Sequence, residues 1–348
     1  MNKQRANQKK AETKQESKFA FSQMMDAGNE LLHQLKTRSG LHDIYDITDA
    51  PSVLGFTLKT ATYLPMILWK MREYDSIKSQ RFWYKNKKNE IIEGIMYGPE
   101  GEEPLPLVAL DSGYRRDLFN FSIVGKVIAC LGYRAFSVRS HNELKGMEAD
   151  DYMEGMEYIR TKYDRKEMIG KDSAVVGISG GNIVVYRSCS SRDFVERHSV
   201  KCAISIAPFA DLEEQFKHMK KTLKKPDIPQ NVRKVLEDYD QYVESLGVSG
   251  PGSDPSLFKN GSPVTYCKDM LVGILNIHGI NDKIVPATGS LKIHKEMQKN
   301  GKGIETIITP GEGIHGDLSK WKKEIIPTLG LGASIVYAYR FLKNQLKR

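Results

Sequence analysis

Cysteine is scarce in this chain, with four in 348 residues at Cys130, Cys189, Cys202 and Cys267. None shares a Cys-x-x-Cys spacing and each lies in or beside an apolar stretch. That excludes a disulfide scaffold and a structural zinc site, and it makes a reducing, cytoplasmic compartment the expectation. A clean membrane span is also lacking. The most apolar stretch, Pro51–Met71, has the length of one, but Lys59 interrupts it and Pro65 breaks it. It predicts a helical hairpin packed on the main body, with contact to a membrane surface as the disfavoured alternative. No apolar segment follows the polar leader MNKQRANQKKAETKQESK, so no secretory signal is expected. No P-loop spacing marks a nucleotide site, and no set of histidines and carboxylates has metal-ligand spacing. Neither cofactor nor metal is therefore expected.

The chain has enough apolar residues, 40% against 27% charged, to exclude wholesale disorder. Its net charge of +9 could suggest a phosphate-bearing partner. The distribution argues otherwise, because residues 1–41 carry eight Lys/Arg against four Asp/Glu and residues 316–348 seven against two, which accounts for the whole excess. With balanced charge between those ends and no RNP, helix-turn-helix or zinc-finger pattern, nucleic-acid binding is not expected.

Periodicity divides the chain into a disordered basic leader over 1–18, a helical N-terminal extension over 19–80, and a main domain over 81–348. Phe21, Met24, Met25, Leu32 and Leu35 fall at helical spacing within the extension. From residue 81 the pattern changes. RFWY and EIIEGIMYG, joined by KNKKN, predict an antiparallel hairpin. The apolar runs PLVAL, YRAFSV, SAVVGI, KCAISI, VGILNI and IETII then alternate with helical patterns. Such alternation predicts an α/β fold, a mostly parallel central sheet with helices on both faces and functional residues at strand carboxyl ends. Between the fourth and fifth of these runs, residues 211–269 hold two helical patterns, LEEQFKHMKKTLKK and QNVRKVLEDYDQYVESLG, with Gly247 as a C-terminal cap of the second. Two inserted helices predict a lid rather than a domain.

Gly177-Ile178-Ser179-Gly180-Gly181 lies between an apolar strand and a helix, the setting of a nucleophile elbow. A sharp strand-to-helix turn projects the serine hydroxyl above the sheet, and glycines avoid collisions with the adjoining elements. A serine needs a base oriented by a carboxylate. Asp282 follows the strand Val272–Ile277, in His278-Gly279-Ile280-Asn281-Asp282-Lys283-Ile284-Val285-Pro286. His315 follows the next strand, in Gly311-Glu312-Gly313-Ile314-His315-Gly316. The order Ser, Asp, His is the one this topology expects.

These motifs, with the Ser262-Pro263 approach to the late strand, give residues 81–345 a sequence that resembles the α/β-hydrolase superfamily, nearest the catalytic domain of the prolyl-oligopeptidase-like peptidases and esterases. The resemblance implies Ser179 as nucleophile, Asp282 as orienting acid and His315 as base. Asp211, after the strand Ala203–Phe209, is the rival acid. Of the eight histidines, only His315 follows the last strand; His278 ends the acid strand and reads as structural. The oxyanion hole is expected from the backbone N–H of Gly180 and one from the loop Asp111-Ser112-Gly113-Tyr114, where relatives often begin His-Gly. The second donor is Tyr114 or Gly113, with Tyr114 favoured.

The expected function is hydrolysis of a small or medium carboxylic ester, because only mostly helical residues precede the domain where such peptidases carry a β-propeller. A peptidase acting on short peptides is the runner-up, then a lipase or thioesterase using Pro51–Met71 as an acyl surface. A non-catalytic hydrolase-fold binding protein is the reading from another class. The sequence leaves oligomeric state open.

Overall fold

A computed structural model describes residues 66–67, 69–99, 101, 103–111, 113, 121–139, 148–163, 168–245, 250, 252–309, 313–315 and 325–346. The leader, the amphipathic helix expected near Phe21–Leu35 and most of the Pro51–Met71 hairpin lie outside them.

Eight strands form one sheet: β1 (Lys78–Lys85), β2 (Ile91–Gly98), β3 (Leu105–Asp111), β4 (Arg134–Arg139), β5 (Ile169–Ile178), β6 (Val200–Ile206), β7 (Gly273–Gly279) and β8 (Ile304–Thr309). Their spatial order is β1-β2-β4-β3-β5-β6-β7-β8. β1/β2 and β2/β4 pair antiparallel, and every pairing from β4/β3 to β7/β8 is parallel. The predicted hairpin is present, with β1 as an edge strand that buries Phe82 and Tyr84 and exposes the residues between and around them. β1 starts at Lys78, so the sheet takes three residues that the sequence assigned to the N-terminal extension.

Alternation along the strands separates two apolar layers. Leu107, Ala109 and Val175 face one side, where they pack with Met156 and Ile159 of α2 (Glu148–Tyr163), Val185 and Tyr186 of α3 (Asn182–Cys189), and Ile293 and Met297 of α8 (Thr288–Lys299). Val108, Leu110, Ala174 and Val176 face the other, against Ile128 of α1 (Phe121–Cys130) and Val336 and Tyr339 of α9 (Ile325–Gln345). Two-sided cover explains why the parallel strands read as continuous apolar runs. The four cysteines are free and buried in this body, where burial pushes the Cys189 and Cys267 thiols up to about 12.

Two short helices have no counterpart in the sequence reading, α4 (Arg192–Arg197) and α7 (Pro255–Asn260). The latter belongs to the insertion between β6 and β7, with α5 (Leu212–Leu223) and α6 (Gln230–Ser245). Phe216 and Met219 of α5, Val232, Leu236 and Val243 of α6, and Leu257 and Phe258 of α7 form one cluster with Ile183, Phe209 and Val285 of the main body. The insertion therefore shares its core with the domain beneath. The expected cap at Gly247 lies outside the described residues. Among the described residues, no helix is long and apolar enough to cross a membrane.

Candidate active site

Gly113, Ser179, Gly180 and His315 line one cavity, and Asp282 joins His315 beside it, beyond the carboxyl ends of β3, β5, β7 and β8. β5 ends at Ile178, and Ser179–Gly181 make a single 3-10 turn leading into α3. Ser179 has φ of +54°, a left-handed conformation costly for a residue with a Cβ and concentrated at functional turns. Gly177 is needed for close approach: a Cβ there would lie 2.6 Å from the Gly181 carbonyl oxygen and 2.6 Å from Val185 Cγ2. Asn182 braces the turn, its Nδ2 donating to the Ser179 carbonyl at 2.8 Å and the Ile206 carbonyl at 2.9 Å.

Asp282 follows β7 with both carboxylate oxygens engaged. Oδ1 accepts from the backbone N–H groups of Ile284 and Val285, each at 2.9 Å. Oδ2 lies 2.6 Å from His315 Nδ1. Against a carboxylate that nitrogen must carry the proton, which leaves Nε2 of a neutral ring as the basic site. Burial pushes the Asp282 carboxyl up, but its interactions with the His315 ring and with the neighbouring His278 outweigh it and hold the carboxyl well below the ordinary range.

His278 is buried, as its structural reading requires. Its Nε2 donates to the Val285 carbonyl at 2.9 Å, its Nδ1 accepts from Ser290 at 2.8 Å, and Nε2 stands 3.6 Å from Asp282 Oδ2. The rival acid Asp211 is committed elsewhere, capping α5 by accepting from Glu213 N at 2.9 Å and Glu214 N at 3.1 Å.

Ser179, Gly180, Gly113 and His315 line one cavity of about 240 Å³, walled otherwise largely by apolar side chains, among them Phe209, Val235, Leu236, Ile284, Val285 and Ile314. Gly113, at φ of +78°, lies directly against the elbow, since a Cβ there would come within 2.6 Å of Gly180 N. Its own N–H donates to Asp111 Oδ1 at 2.8 Å. The Gly113 amide thus has a partner within its own loop; Tyr114, the other candidate for the second oxyanion donor, lies outside the described residues. Among the described residues, no group of three or more His, Cys, Asp or Glu could hold a metal ion.

The profile of the prolyl oligopeptidase family, Peptidase_S9, matches residues 133–324, more than half of the chain. The chain belongs to that family. This member of the prolyl oligopeptidase family also shares its fold with solved structures. An acylaminoacyl peptidase in complex with Z-Gly-Gly-Phe-chloromethyl ketone matches with TM-score 0.59 and 16% identity over 78% of this chain and 42% of that one. A Pyrococcus furiosus esterase matches with TM-score 0.57 and 15% identity over 80% of this chain and 94% of that one. A Pyrobaculum calidifontis esterase gives 0.57 and 15% over 83% and 93%. This chain thus spans less than half of the acylaminoacyl peptidase and nearly the whole of each esterase. No curated protein matches it by sequence. The fold is the α/β-hydrolase fold and the superfamily is one of serine hydrolases.

Three further residues shape the site without belonging to any motif. Asn182 adjoins the elbow and reads in sequence as the first residue of a helix. Gln215 lines the same cavity and sits on the apolar stripe Leu212, Gln215, Phe216, Met219 of α5, where a polar residue is itself the signal. His218, one turn on, reaches the acid loop at Lys283.

Proposed function

We propose that this chain hydrolyses small or medium carboxylic esters through an acyl-enzyme, with Ser179 as nucleophile, His315 as general base and acid, and Asp282 as the group that orients and stabilises the imidazole. The observation that carries the reading is the 2.6 Å Asp282–His315 hydrogen bond beside a cavity lined by both His315 and Ser179.

His315 Nε2 takes the Ser179 proton as Oγ bonds to the acyl carbon, and the carbonyl pair moves onto oxygen. The backbone N–H groups of Gly180 and Tyr114 hold that oxyanion. The tetrahedral species collapses, the alkoxide leaves with the proton from His315, and the acyl group stays on Oγ. Water then repeats the sequence, giving its proton to His315, and the acid departs as Ser179 regains its proton. The Asp282 carboxylate stays ionised throughout and stabilises the imidazolium.

A small acyl group suits the cavity, whose 240 Å³ falls below the roughly 300–1,000 Å³ usual for drug-sized ligands. The near-complete overlap with two esterases supports the ester reading. The likeness to an acylaminoacyl peptidase favours short peptides or acylated amino acids as the second reading.

A fluorophosphonate probe tests the class. The expected result is labelling of the wild type and none of Ser179→Ala. An unlabelled wild type overturns hydrolysis in favour of a non-catalytic binding protein. Turnover of p-nitrophenyl esters of rising chain length, set against aminoacyl anilides, tests the leaving group. Efficient anilide cleavage with negligible ester cleavage removes the ester assignment.

A further inference from the structure

The acid loop is held from two sides. Its peptide groups 283–284 and 284–285 each present an N–H to Asp282 Oδ1, from Ile284 and Val285, both at 2.9 Å. The carbonyl ends of the same two groups point to α5. Ile284 O accepts from Gln215 Nε2 at 2.8 Å, and Lys283 O lies 3.2 Å from His218 Nε2. A carbonyl cannot donate, so these nitrogens carry the protons.

We propose that Gln215, assisted by His218, is a positioning residue that aims the acid loop at Asp282 and through it the imidazole of His315; this rests on the hydrolase reading above. A peptide group is planar and stiff, with its C=O and N–H on opposite edges. Anchoring the oxygen edge on a helix therefore fixes where the hydrogen edge points. The hydrogen bond on the carbonyl also polarises the group and strengthens the N–H that faces the carboxylate.

The character of Gln215 supports the assignment. It is 7% exposed, on a stripe otherwise filled by Leu212, Phe216 and Met219. Its Oε1 is buried with no hydrogen-bond partner. An unpaired buried acceptor is a standing cost of the fold, and a methionine of similar length would avoid it. What the glutamine supplies, and methionine would not, is the donor to Ile284. The helix that carries it is anchored in turn, since Asp211 caps the start of α5 and Lys292 of α8 reaches Glu214 at 2.7 Å.

The test is a double-mutant cycle of Gln215→Met and Asp282→Asn on a p-nitrophenyl ester, with thermal unfolding of each protein. Gln215→Met is expected to lower kcat about five- to thirtyfold with KM within about twofold. In the Asp282→Asn background the same change is expected to cost less than about twofold, because the group it acts through is already disabled. A loss confined to KM, or an equal loss in both backgrounds, overturns the proposal.

If Gln215→Met does not fold, Gln215→Asn replaces it, keeping the carboxamide but drawing it back from Ile284. A second readout is independent of turnover. The low-field proton resonance of the His315–Asp282 hydrogen bond is expected in the wild type and in Ser179→Ala, and shifted upfield in Gln215→Met. Should the wild type neither turn over ester nor take the probe, the hydrolase reading fails by itself, and an unchanged resonance in Gln215→Met overturns the positioning claim separately.

Discussion

Toward the amino end of the central strands, Ser173 of β5, His198 just before β6 and Glu157 of α2 lie together; beyond the carboxyl end, Ser179, His315 and Asp282 do the same. The residue types match, and the arrangements are opposites. Ser173 Oγ donates to the His198 carbonyl at 2.7 Å rather than to a ring nitrogen. Arg160 closes over both, with Nη2 2.6 Å from Ser173 Oγ and 3.2 Å from His198 O. Glu157 reaches His198 Nε2 only at 3.5 Å, from a half-exposed position. Burial, then the charges of Arg160 and Arg197, push the His198 ring down to about 4, so it stays neutral. At the other end the carboxylate is the buried member and backbone N–H groups help hold it ionised. The same inventory is a brace where the hydroxyl proton goes to main chain, and the proposed nucleophile, base and acid where the serine lines a cavity.

The contrast is tested most directly at Asp282 and Ser173. Asp282→Asn is expected to lower kcat by about 10⁴, while Ser173→Ala leaves ester turnover within about twofold. Steady-state kinetics of both variants check this, and comparable losses would erase the distinction between the ends. Next in size is Gly113→Ala. A methyl at φ of +78°, within 2.6 Å of Gly180 N, must displace the elbow or its own loop, and kcat is expected to fall about 10²-fold. The measurement is kcat at saturating ester, alongside a circular dichroism check of folding.

The amino end has its own signature in stability. The folded His198 pKa lies below its unfolded value of about 6.5. Between about pH 4 and 6.5 the unfolded chain binds the extra proton, so this contribution is complete above 6.5 and lost as pH falls toward 4. Urea unfolding at pH 7 and pH 4 is expected to show His198→Gln losing less stability on acidification than the wild type, by on the order of 2 kcal/mol. The smallest effect separates the two carboxylates at the carboxyl ends of β6 and β7. Asp211→Ala removes the cap of α5 and is expected to cost about 1 kcal/mol in thermal unfolding, with kcat lowered far less than in Asp282→Asn.

Much of this is legible in sequence because the informative signals are local. Apolar runs bounded by turns mark β3 and β5 to β8, and the Gly-x-Ser-x-Gly and His-Gly-x-x-Asp motifs sit where strands end. α4 and α7, at six residues each, are too short for helical periodicity to show. α9 begins at Ile325 with Pro327 in its first turn, where proline is tolerated. The engaged amide of Gly113 is not legible, since which way a peptide plane turns depends on a side chain two residues earlier and on packing against a distant turn. Gln215 is half legible: its place on an apolar stripe is visible, its partner 69 residues away is not.

The insertion divides its labour. α5 touches the acid loop through hydrogen bonds to main-chain carbonyls and gives the cavity Gln215, whereas α6 gives it the larger share, the side chains of Val235, Leu236 and Tyr239. On the proposed roles, exchanges on α6 would retune which molecules enter while α5 keeps the acid loop in register, so new selectivities would be reachable in single steps without first losing competence.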